Sequence, residues 1–361
     1  MRLFFRRLWA RIVFQYQTRR DVAERGVSAV GLAALSHVLY QAQPPIGSIG
    51  GQPAYPSDWR PFILIALFCA ALYNTTLGYF LAIALAMWPL WTLSPYLASL
   101  FLAVAVLAQS PILRRLPWTL LVTAAPMLAW NLLSALGPLM AGMTLGPGGG
   151  FWVGALAALW LKVAGGMAGH STDLLTLHQQ PILLSTVSAR YTGQTSLDTL
   201  RLIVEPFNTG RSSLLLLDVL QVLLWGLAGA LVGWLRQRLW AERRPWLNLI
   251  VSLLAGALLI WFSIFAIPIW LQLEPLALLW SDPWLTVGIL VTALIAGSTY
   301  AARYVLNRPA RRAKVRVLPV KFQPSPGGEP GSDPASQSVT ANPAITPSND
   351  KDDDVIMLEL D

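Results

Sequence analysis

A single cysteine, Cys69, stands among 361 residues, so the chain forms no internal disulfide and no cysteine-based metal site. Charge is scarce as well. Only 12% of residues are Asp, Glu, Lys or Arg, against about 25% in a soluble domain. His37, His170 and His178 are the only histidines. The chain contains no GxSxG, no HExxH and no pair of carboxylates within one apolar run, so no nucleophile–base set is in view. The glycine-rich TLGPGGG at 144–150 lacks the Gly-Lys-Ser/Thr of a P-loop and the GxGxxG spacing of a dinucleotide site. No cofactor, metal or catalytic residue is expected, and an enzyme is the least supported class.

What fills the chain is apolarity. Hydrophobic residues make up 55% and the mean hydropathy is +0.54. The stretch 212–235 reads SSLLLLDVLQVLLWGLAGALVGWL and runs into Arg236, Arg238, Arg243 and Arg244. About twenty such residues cross the hydrocarbon of a bilayer as a helix, and the arginines hold that end in the cytoplasm. Of 26 Lys and Arg, 18 fall before Gly26, at 236–244 and at 303–321. Each cluster abuts an apolar span. The net charge of +8 is therefore a topology signal and not a nucleic-acid footprint. Trp88, Trp91, Trp118, Trp152, Trp234 and Trp284 lie near span ends, where an amphipathic ring suits the headgroup level.

The expected fold class is an all-α, polytopic integral membrane bundle of about eight spans, with a range of six to eight. Residues 1–26 form a basic N-terminal segment in which Phe4, Phe5, Leu8, Trp9, Ile12 and Val13 recur at helical spacing, suited to an anionic cytoplasmic leaflet. A secretory signal peptide is the rival reading, but its basic region would be unusually long and no small-x-small site follows. Residues 27–306 form the membrane domain. A weak span over 27–42 precedes a Pro/Gly loop at 43–60. The 53 uncharged residues from Pro61 to Leu113 accommodate two helices, near 62–80 and 96–113. The next uncharged block holds helices near 118–139 and 151–169, with the glycines of 144–150 permitting a tight inner turn. Helices near 212–236, 246–273 and 284–304 complete the set. Residues 170–211 form a long extracytoplasmic loop, with 196–205 as a short amphipathic helix. Residues 307–361 are a disordered cytosolic tail, basic to 321 and acidic with apolar residues over 350–361.

With 236–244 inside, this count puts both termini in the cytoplasm of a plasma-membrane protein. Arg114-Arg115 then falls outside, against the rule. A third short or re-entrant segment in each uncharged block would bring that pair inside.

Two ionisable residues lie well within spans: Lys162 and Asp218. Buried charges are costly and face protein or water. Their depths below the outer surface differ by about 3–6 Å at the helical rise, so an ion pair between them is expected. It either fixes helix register or lines a substrate cavity. Gly165-x-x-x-Gly169 and Gly229-x-x-x-Gly233 share those two helices and suit close helix packing. His170, Asp173 and His178 form a candidate polar site at the outer mouth, with too few ligands for a metal. Asn74-Thr75-Thr76 and Asn131 are polar breaks of the kind that interrupt helices at transport sites.

Together these features suggest a permease-like transport component for a small polar substrate. The alternative is a non-catalytic membrane scaffold or sensor that recruits a cytosolic protein through 350–361. The lipid bilayer is the expected partner in either case, with a homo-oligomer or other transporter subunits also in view and no nucleic acid.

Overall fold

Asparagine, serine and proline punctuate the apolar blocks more finely than hydropathy suggests. The structure, a computed structural model, describes residues 20–41, 55–180, 182, 184–207, 212–238, 244–273 and 282–306. The basic segment before residue 20 and the tail after 306 lie outside the described residues. No strand occurs among the described residues, and five helices are long and apolar enough to cross a membrane. Their outward faces carry large apolar side chains such as Leu77, Leu258, Trp284 and Leu294, a surface suited to lipid.

The first group of helices is α1 (Arg20–Gln41), α2 (Arg60–Tyr73), α3 (Thr75–Leu93), α4 (Pro95–Leu107) and α5 (Gln109–Arg114). The block expected to hold two helices thus holds four, α4 and α5 being separated by Ala108 alone and making one pass, and the helix expected over 62–80 is broken. At Asn74 the backbone is extended, and the side-chain carbonyl accepts from Thr76 N at 2.9 Å, capping α3. Ser94 does the same for α4, which begins at Pro95. Both chain reversals are tight. At the first, a Cβ on Gly78 would fall 2.4 Å from that of Ala71, and across the second Tyr79 Oη donates to Ala105 O at 2.9 Å. Helix α1 runs against α2, with Arg25 donating to Tyr73 O at 3.4 Å.

The second group begins with α6 (Leu116–Thr123) and α7 (Ala125–Trp130), each with proline in its first turn. The helix expected over 118–139 stops at Asn131. Leu132 adopts a φ of 59°, costly for a side chain of this size. It is held by Thr292, which donates to Leu132 O, and by the space that Gly288 leaves beside it. Helix α8 (Leu136–Met167) then folds back on itself at Gly146, where φ is 78° and ψ −170°, a backbone conformation open almost only to glycine. Gly142 and Gly150 meet across this hairpin, as do Pro138 and Gly154. The glycine turn expected at 144–150 is therefore centred on Gly146.

Helix α12 (Ser212–Arg236) runs antiparallel to the 147–167 arm of α8, with backbones in direct contact. A Cβ on Gly229 would fall 2.2 Å from Gly150 O, and one on Gly154 2.4 Å from Trp225 O. Helices α13 (Pro245–Trp261), α14 (Ile267–Trp270) and α15 (Pro283–Leu306) flank this pair. The main core gathers Leu139, Met143, Leu161, Trp225, Val232, Ile260 and Phe265.

The bundle has two poles. Arg236 marks one, beside the Gly146 turn, since Gly146 adjoins Gln237. The other holds the cluster of Leu97, Val187 and Tyr191, against which Met167 and Ala168 pack from α8 and Leu90 from the end of α3. The turn at Ser94 is thus at the second pole. Helices α4 and α5 lead back from it, so Arg114-Arg115 sits at the pole of Arg236. This corrects the expectation that the pair faces the opposite side, and it follows from the third pass that α4 and α5 add to the first block.

The described residues of 170–211 fold as α9 (Leu174–Gln179), α10 (Leu184–Tyr191) and α11 (Ser196–Val204), with Leu174, Leu175, Leu177 and His178 of α9 buried in the core.

Candidate functional site: a buried polar network

Lys162 lies on the 147–167 arm and Asp218 on α12, level with each other in the antiparallel pairing. Lys162 Nζ is 2.8 Å from Asp218 Oδ1. It also donates to Thr172 O at 2.7 Å and Gln221 Oε1 at 2.6 Å. These three acceptors use all three ammonium protons. Lys162 is 0% exposed, so its charge is cut off from water and depends on this saturation.

The rest of the network is also satisfied. Thr172 Oγ1 donates to Asp218 Oδ2 at 3.0 Å. Gln221 lies one helical turn from Asp218, on the same face of α12. Its amide donates to Asp173 Oδ1 at 2.9 Å and to Ser263 O at 3.2 Å. The Ser263 carbonyl is available for a specific reason. Residues Phe262–Ala266 form a π turn, in which Ile267 N–H bonds to Phe262 O. The corresponding partner of Ser263 O is residue 268, a proline without an N–H. The freed carbonyl turns to α12. Ser263 Oγ in turn accepts from Trp225 Nε1 at 3.1 Å and donates to Ile260 O.

The expected polar site of His170, Asp173 and His178 does not assemble. Asp173 is drawn into the lysine network. His178 turns the other way, sharing one hydrogen bond with Ser134 and another with Leu174 O. His170 Nε2 is buried without a partner. No cluster able to hold a metal ion is found among the described residues. Asp173 and His178 belong to the connection between the spanning helices, and burial raises the Asp173 carboxyl above its ordinary range and lowers the His178 imidazole. Both shifts favour the neutral form.

The four glycines divide. Gly229 and Gly233 pack the two helices, but against Gly150 and the Gly146–Pro147 link. Gly165 instead makes room for Leu177 of α9. Gly169, with a φ of 84°, ends α8. Beyond that end, Arg190 donates to Gly166 O at 2.7 Å and pairs with Glu205 at 2.8 Å. Close packing of α8 on α12 is thus made at Gly229 and Gly233, and Gly165 and Gly169 lie past the glycine-lined part of the interface.

Sequence reading did not single out Gln221, Thr172, Ser263 or Ser134. Gln221 alone left a usable signal, three residues after a buried Asp. The break at 131–135 is packed on α9 through the Ser134–His178 contact. Comparison with protein-family models, with curated proteins and with solved structures returns no match.

Proposed function

We propose that this chain is a permease-like membrane component whose translocation path passes through the Lys162–Asp218 network. The observation that carries the reading is the convergence of two irregular elements on one buried polar cluster: the short helix α9, whose Leu174 N–H donates to Gln221 Oε1, and the π turn at Ser263. The broken segment 131–135 packs on α9 through the Ser134–His178 contact. Interrupted helices at mid-membrane depth expose backbone groups that bind polar cargo, and π turns recur at functional positions.

Under the positive-inside rule the pole of Arg236 faces the cytoplasm. Eight crossings then follow: α1, α2, α3, α4 with α5, the 147–167 arm, α12, α13 with α14, and α15. The stretch 116–145 enters and leaves on the cytoplasmic side as a re-entrant segment. Arg114-Arg115 falls inside, and so do both termini of a plasma-membrane protein. Residues 168–211 form an extracytoplasmic plug.

In this account the described conformation is closed: Lys162 bonds only to protein, and opening exchanges its bonds for cargo or water. The closure also favours a second reading, a membrane scaffold that uses the pair for register and recruits a cytosolic protein through 350–361. One measurement separates them. In a Cys69→Ala background, Thr172→Cys keeps the carbonyl that Lys162 uses. Transport predicts that a small water-soluble thiol reagent modifies this cysteine in the folded protein, faster than global unfolding. Modification only on unfolding, together with loss of function when 322–361 is deleted, supports the scaffold.

A further inference from the structure

At the pole of Arg236, away from the lysine network, a cavity of about 250 Å³ opens between α8, α12, α13 and α15. Met143, Arg236, Trp246, Asn248, Tyr300 and Tyr304 are among its walls. The Arg236 guanidinium lies 4.5 Å from the centre of the Tyr300 ring. That ring stacks on Tyr304, and Trp246 meets Tyr304 edge to face. Stacking holds the arginine in place and leaves its in-plane N–H donors for an anion. No salt bridge to Arg236 is present among the described residues.

Asn248 supplies a second, independent feature. It is 3% exposed. Its amide nitrogen donates to Arg236 O at 3.4 Å, which turns the oxygen the other way. That oxygen, Oδ1, is buried without any donor, a costly arrangement for a residue on a cavity wall. The cavity therefore offers a fixed cation and an unmet acceptor side by side. The start of α13 at Pro245 adds the positive end of a 17-residue helix.

We infer that this cavity binds a phosphate ester that carries a hydrogen-bond donor next to its phosphate, the phosphate held by Arg236 and the donor meeting Asn248 Oδ1. The phosphoethanolamine group has this chemistry, either as a lipid headgroup or as a free solute. Phosphocholine has the same phosphate but no N–H. Tryptophan and tyrosine around an arginine at the end of a bundle match the level of lipid headgroups.

The test uses the full-length protein purified in detergent. Native mass spectrometry counts bound phosphatidylethanolamine and phosphatidylcholine added in equal amounts, and thermal unfolding is followed with free phosphoethanolamine. The expected result is retention of the ethanolamine lipid over the choline lipid. Arg236→Gln should lower retention of the ethanolamine lipid about tenfold, and Asn248→Leu should erase the preference between the two. Asn248→Ser serves the same purpose if the leucine variant does not fold. Stabilisation by free phosphoethanolamine without lipid discrimination, lost in both variants, supports the same site with a soluble ligand. Equal retention of both lipids with no effect of the solute overturns the inference. So does a preference that survives both substitutions.

Discussion

The two halves of the α8–α12 helix pair are held together by opposite means. Toward Arg236, Gly142, Gly150 and Gly229 bring backbone against backbone with no side chain between. Toward the other pole, Lys162, Asp218 and Gln221 fill the interface with charge and amide groups. In lipid there is no hydrophobic force between apolar helices, so association rests on close packing and on polar bonds. One half uses the first means and the other half the second. The glycine half leaves no room between its two helices. The polar half has hydrogen bonds that another ligand could satisfy, so opening of the α8–α12 seam belongs there.

This contrast is open to breaking at either end. The largest effect is expected for Lys162→Met or Asp218→Asn alone. Each strands a buried polar partner and should cost about 3–5 kcal/mol, read as loss of folded protein after membrane extraction. The swap Lys162→Asp with Asp218→Lys should recover much of what either single change loses. A double variant as poor as the singles would remove the pair from the account.

Next come Gly150→Val and Gly229→Val. A new Cβ there would meet main-chain oxygen at 2.4 and 2.2 Å, and overpacking of this kind costs about 1–3 kcal/mol. Thermal unfolding in detergent should show it, with the Thr172→Cys probe still protected. A Gly165→Ala change should cost less, because its contact is the flexible end of Leu177. Equal losses at 150, 229 and 165 would contradict the division into two halves.

The smallest effect concerns pH. Burial lowers the His178 imidazole below its ordinary value of 6.5. The unfolded chain therefore binds a proton that the folded chain resists, and stability should fall as pH drops below about 6.5. His178→Gln should flatten that part of the profile. An unchanged slope would mean that burial does not hold the imidazole neutral.

The ion pair was legible in the sequence because a charge inside an apolar run is rare enough to demand a partner. Gln221 and Ser263 were not, since an uncharged polar residue in a span has many ordinary uses. The π turn that frees Ser263 O depends on Pro268, whose effect appears only once the helix is traced. Hydropathy could not divide the block from Pro61 to Leu113 either. Apolar residues are uniform across it, and Asn74 and Ser94, which cut it, are single small side chains. Asn74 and Asn131 did stand out as breaks. What they imply for Arg114-Arg115 required the packing of Leu90 and Leu97 at the far pole. The turn at Gly146 was readable because glycines cluster there. Its tightness, which makes a hairpin of one long helix, came from contacts across it.

The proposed orientation and transport reading both need the re-entrant course of 116–145, and thiol labelling tests it directly. In the Cys69→Ala background, single cysteines are placed at Arg115, at Gly148, where a new side chain meets nothing within 4 Å, and at exposed Thr192. A membrane-impermeant maleimide applied to intact cells should label the cysteine at 192 alone. After permeabilisation it should label those at 115 and 148 as well. Labelling of 115 and 148 from opposite sides of the membrane would contradict the account.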